Sequence, residues 1–177
     1  SAESGVGAKG LTQMMDAVAI KHRLHIAQYE GDYDSRFSPE EILPPSAEEL
    51  KEYYDKFGDW SLAFQAWHMG TPQVYEAVRT YAHLEYGADL ADVNVISENE
   101  TEEAYEKATL IAAERMELYR DFIKRHKISV PKLYENQTVM QTYDTPEFDR
   151  TWDYWSRIFK SAEIVRSQNL VQIAQEQ

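Results

Sequence analysis

Six side chains carry what chemistry the sequence offers: His22, His25, Glu85, Arg115, Glu163 and Arg166. A 3.6-residue period places each of them on the apolar face of its own segment. Arg115 is the sharpest case, because its neighbours three and four positions away are Ile111, Ala112, Leu118 and Tyr119. A guanidinium never loses its charge and is costly to bury alone, so it needs a partner there. The expected partner is a carboxylate from another helix, Glu85 first and Glu163 second. Such ion pairs specify which helices sit together more than they stabilise them. A second chemistry for the same cluster is capture of a small anion by Arg115 and Arg166, with His22 or His25 donating a proton. A third is a di-iron carboxylate site, but that requires Glu-x-x-His on two helices, and the sequence has no such tetrapeptide. Two arginines in one neighbourhood also disfavour a divalent cluster. No metal and no cofactor is expected, and no catalytic residue is assigned.

The elements that must position these residues are helices. Apolar periodicity predicts long helices over 10–29, 72–86, 101–127 and 146–175, an all-α fold in the form of a helical bundle. Two shorter peripheral helices follow Ser46, with Glu49 completing a capping box, and Asp59. Thr71-Pro72 and Thr145-Pro146 read as helix starts, and Gly58, Gly70 and Gly87 as stops. Gly31 to Pro45 reads as a long ordered acidic loop, and 88–97 and 129–144 as connections. Residues 1–9 read as an N-terminal arm and 10–177 as a single helical domain. The arm and the 30–45 loop are expected to bury side chains against a partner chain, since loops of that length are uncommon without a role.

Composition narrows the function classes. The 177 residues carry 18 Lys+Arg against 31 Asp+Glu, a net charge of −13, which makes nucleic acid and anionic membranes poor partners. The absence of cysteine excludes disulfides and thiolate catalysis, and points to a soluble, intracellular setting, cytoplasmic or organellar. No apolar run reaches the length of a membrane span. Serine-nucleophile motifs and a P-loop are missing, and Gly5, Gly7 and Gly10 lack the spacing and preceding strand of a dinucleotide fingerprint. These readings lead to an accessory or structural subunit of a larger assembly, binding other protein subunits and without catalytic activity of its own. The alternative is a ferritin-like or small-anion-binding enzyme using the His/Glu/Arg cluster.

Overall fold

A computed structural model of the chain describes residues 7–29, 31–94, 101–142 and 160. The fold is all-α, and the described residues form helices joined by turns. The chain divides into two compact units, Ser1–Glu52 and Tyr53–Gln177.

In the first unit the helix expected over 10–29 shrinks to α1, Asp16–Lys21. Ahead of it, Gly10 and Gln13 take φ of 78° and 54°; behind it, Arg23 takes 58°. A right-handed helix cannot run through residues of the opposite backbone hand, whatever the apolar period. The Leu24 N–H instead closes on the Ala19 carbonyl at 2.9 Å. The loop expected over 31–45 is also corrected. A 3-10 turn spans Ser35–Phe37, and α2 runs over Pro39–Phe57, straight through Pro44 and Pro45. Those prolines remove the donors that would bond the carbonyls of Glu40 and Glu41. Both glutamates are exposed, so the loss does not bury an unsatisfied residue. Ser46 therefore opens no helix: its hydroxyl donates to Thr12 Oγ1 at 2.9 Å, and Glu49 reaches Lys21 and His22 instead of capping.

The second unit holds α3 (Trp60–Met69), α4 (Thr71–Tyr86), α5 (Glu102–His126), α6 (Val130–Tyr134) and α7 (Gln137–Thr142). Asp59 caps α3 by accepting the Leu62 N–H at 3.0 Å, and Thr101 caps α5 through the Ala104 N–H at 3.3 Å. Gly70 takes the N-cap of α4, with Pro72 one residue further in than the sequence suggests, and left-handed Gly87 closes it. Phe57, Leu62, Val74, Val78, Tyr119, Ile123 and Val130 form the buried core. Tyr75 lies between Phe57 and Tyr119, at 4.8 and 5.1 Å between ring centres, and burial pushes its hydroxyl up to about 12. The buried Val130 N–H donates to Ser61 Oγ at 2.9 Å, which ties the start of α6 to α3. The helix expected over 146–175 lies outside the described residues except for helical Lys160. No helix among the described residues is long and apolar enough to cross a membrane.

Candidate functional site

The most constrained backbone of the first unit is the loop from Gly7 to Met14. Gly7, Gly10 and Gln13 all have positive φ, at 85°, 78° and 54°. An antiparallel bridge closes the loop, with Lys9 N–H on the Met14 carbonyl at 3.1 Å and Met14 N–H on the Lys9 carbonyl at 3.0 Å. The Gln13 carboxamide donates to the Gly10 carbonyl at 2.8 Å, which offsets part of the cost of a left-handed non-glycine residue. Gly10 presses on the carbonyl of Arg36, and a Cβ built there would lie 1.8 Å from that oxygen. Only glycine fits. Leu11 remains 66% exposed and Gln13 faces solvent, so the loop is shaped without being buried. Non-glycine residues in sparsely populated backbone regions gather at functional sites, where the surroundings over-determine them.

Arg36 is the brace beneath this loop and is fully buried. Its Nε and Nη2 donate to the two oxygens of Asp34 at 2.9 and 2.6 Å, while Nη1 donates to Asp16 and to the Met14 carbonyl. Hydrogen bonding from the Arg36 side chain, reinforced by its main-chain N–H against the opposing effect of burial, holds Asp34 at about 2. Two further carboxylate clusters share the unit. Glu49 accepts Lys21 Nζ at 2.6 Å and stands 3.1 Å from His22 Nε2, with Glu48 3.5 Å from the other ring nitrogen. Glu41 accepts the Ser35 hydroxyl at 2.6 Å and the Tyr33 hydroxyl, and these donors, Ser35 first, hold its carboxyl below the usual range. The His25 ring stacks on Tyr33 at 6.1 Å.

The six residues singled out by periodicity thus fall in different surroundings. His22 belongs to the Glu48/Glu49 cluster and His25 to the exposed edge beside Tyr33. Glu85 is exposed and accepts a bond from Asn136. Arg115 is half-buried and donates to the main-chain carbonyl of Asp92, not to Glu85. Glu163 and Arg166 lie outside the described residues. A main-chain acceptor satisfies the Arg115 guanidinium without a second buried charge, so the expected interhelical pair is replaced by a side chain-to-backbone bond. The expected docking of aromatic or proline side chains of 1–9 and 30–45 on a partner stays an expectation, while other side chains of both stretches pack on this chain. Ala8, Asp34, Ser35, Arg36 and Ile42 are buried within this chain itself. Sequence reasoning missed Arg36, which sits in an apparent loop. The available signal was the pair of glycines Gly7 and Gly10, three residues apart, whereas the positive φ of Gln13 has no signature in its residue type.

The second unit offers a small pocket between Leu62, Met69, Val74, Val130, Leu133 and Val139. Among the described residues that line it there is no carboxylate or imidazole, and its polar side chains are those of Gln65 and Tyr134.

The braced loop and the paired carboxylates around it are the most ordered polar constellation of the first unit, and the comparisons with known proteins give the chain its class. The family model described as transglycosylase SLT domain matches residues 1–89, half of the chain, and the chain belongs to that family. The matched stretch contains the whole first unit, α3 and α4. No curated protein and no solved structure matches the chain. Membership corrects the expectation of an accessory subunit without catalytic activity and, with it, the ferritin-like or anion-binding alternative. The family is one of peptidoglycan-cleaving, lytic transglycosylase-type enzymes, which act without a cofactor.

Proposed function

We propose that this chain carries the catalytic segment of a lytic transglycosylase acting on the glycan strands of peptidoglycan. The observation that carries the reading is the family match over residues 1–89, the stretch that holds the braced loop. The chemistry asked of such a site is a proton exchange. A carboxyl group protonates the glycosidic oxygen as the C–O bond breaks. A sugar hydroxyl, not water, then bonds to the anomeric carbon and returns its proton to the carboxylate. The proton donor must be a carboxyl group not already committed as an anion. Donors hold Asp34 and Glu41 in the charged state, and ion pairs with Arg36 and Lys21 occupy Asp16, Glu49 and Glu52. Asp32, Glu40 and Glu48 of the first unit are left by that elimination, as is Glu3, which precedes the loop within the matched stretch, lies outside the described residues and is the first to be tested. A peptidoglycan substrate also moves the working compartment outside the cytoplasmic membrane, away from the intracellular setting that the lack of cysteine suggests.

The test is digestion of purified peptidoglycan by the full gene product in ¹⁸O-labelled water. Soluble glycan released without ¹⁸O at the new chain ends is the expected result, because no water enters the transfer. Label at those ends indicates a hydrolase, and no release at all ends the reading. Glu3→Gln should slow release at least about a hundredfold; unchanged release assigns the proton to another carboxyl group.

A further inference from the structure

We propose that Arg36 is the positioning residue of the Gly7–Met14 loop, setting the shape in which Leu11 and Gln13 are presented to a glycan strand. This rests on the transglycosylase reading for the identity of the ligand, but the brace itself is read from geometry. Arg36 grips the loop at two places by two different parts of itself. Its main-chain carbonyl is the surface against which Gly10 packs with no room for a Cβ. Its guanidinium reaches the far end, donating to the Met14 carbonyl at 3.4 Å and to Asp16 two residues on. Asp34 fixes the plane of that guanidinium from behind through two bonds, the geometry for which arginine is suited and lysine is not.

Burial of Ala8 and Met14, the Lys9–Met14 bridge and the Ser46 bond to Thr12 anchor the base and one side of the loop, while Leu11 and Gln13 at its tip are exposed, so the tip takes its shape from what lies beneath it. Gly7 and Gly10 adopt positive φ at no steric cost, but glycines leave a backbone many alternatives, and Gln13 holds its left-handed conformation only where the surroundings over-determine it. A buried charge network placed directly under an exposed loop is spent on the shape of that loop, and shape at a site governs rate: a displacement of 1 Å can cost about a hundredfold.

Asp16 gives a variant that loosens the brace without uncovering a buried charge, because its side chain is 63% exposed while Asp34 stays paired. In the full gene product, Asp16→Asn should leave the melting temperature nearly unchanged. It should speed amide hydrogen exchange at Lys9 and Met14 about tenfold, as expected when one charge-assisted bond is lost. The initial rate of release from purified peptidoglycan should fall in step, and Arg36→Lys should lower it further, toward about a hundredfold. Arg79→Gln, which breaks a half-buried ion pair with Glu76 on α4 of the second unit, should change neither readout. Unchanged exchange at Lys9 and Met14 in Asp16→Asn overturns the brace. Faster exchange with an unchanged rate overturns the positioning role. Faster exchange in a gene product that never releases glycan keeps the brace and discards the transglycosylase reading.

Discussion

Arg36 and Arg115 make an instructive pair, one from each compact unit. Arg36 lies in the middle of a short 3-10 turn in a segment with no apolar period, and it is fully buried against Asp34, Asp16 and a main-chain carbonyl. Arg115 sits on the core-facing stripe of the longest described helix, yet it is half-buried and bonded to a single carbonyl. The difference lies in what surrounds each group. Around Arg36 two segments of chain converge, and between them they bring three acceptors, Asp34, Asp16 and the Met14 carbonyl. Along α5 the buried residues are Tyr119 and Ile123 near the C-terminal end, while Tyr105 and Leu110 toward the start are exposed. A helical stripe therefore tells which side of α5 faces inward, but not how far along the helix there is anything to face.

The comparison breaks most decisively at Arg36. Arg36→Met leaves the carboxylate of Asp34 buried without its partner, and the first unit should lose about 3 to 5 kcal/mol. Amide exchange at Leu24 and Ser35, whose N–H groups bond to the Ala19 and His25 carbonyls, reports on that unit directly. Tryptophan fluorescence does not serve, because all four tryptophans lie beyond residue 52. A loss below about 1 kcal/mol would place Arg36 among ordinary surface ion pairs.

The same contrast appears with pH. Asp34 falls from an ordinary 3.8 to about 2 in the folded chain. A carboxyl group depressed by folding contributes stability that is complete above its unfolded value and disappears as the pH falls through the folded one. The first unit should therefore weaken by about 2 kcal/mol between pH 4 and pH 2. Asp34→Asn should remove most of that slope, leaving the share of Glu41, whereas Arg115→Met should leave it intact. An undiminished slope in Asp34→Asn would assign it to another carboxyl group.

How much was legible in the sequence follows from the same physics. Helices α3, α4 and α5 were readable because their caps and their apolar stripes agree: Asp59, Thr101 and Gly87 sit where the periodicity begins or ends. The first unit was not, because its order comes from pairings between segments that no local period records. Gly10 owes its place to the carbonyl of Arg36, and Ser46 and Glu49 turn to Thr12, Lys21 and His22 instead of capping their own helix. The apolar spacing of 10–29 was real but secondary to backbone hand, which Gly10, Gln13 and Arg23 set. The candidate site was illegible for the same reason. Its residues are turn formers whose role appears only once Arg36 is beneath them.

The smallest expected effect is at Arg115, and it sharpens the comparison because a guanidinium among apolar neighbours is ordinarily an invitation to look for an ion pair. The bond to the Asp92 carbonyl asks nothing of any carboxylate, and Glu85 is exposed and occupied by Asn136. Arg115→Met leaves no buried charge behind, since its acceptor is a neutral main-chain group in an exposed residue that water can reach. It should shift stability by no more than about 0.5 kcal/mol. Urea unfolding followed by tryptophan fluorescence is the right measurement here, because Trp60 and Trp67 belong to the same unit as α5. Combined with Glu85→Gln, the two changes should add to within about 0.5 kcal/mol, as they do for residues with no shared partner. A coupling above about 1 kcal/mol would show that the two helices do exchange charge in solution, and Arg115 would then join Arg36 as a buried, partner-dependent arginine.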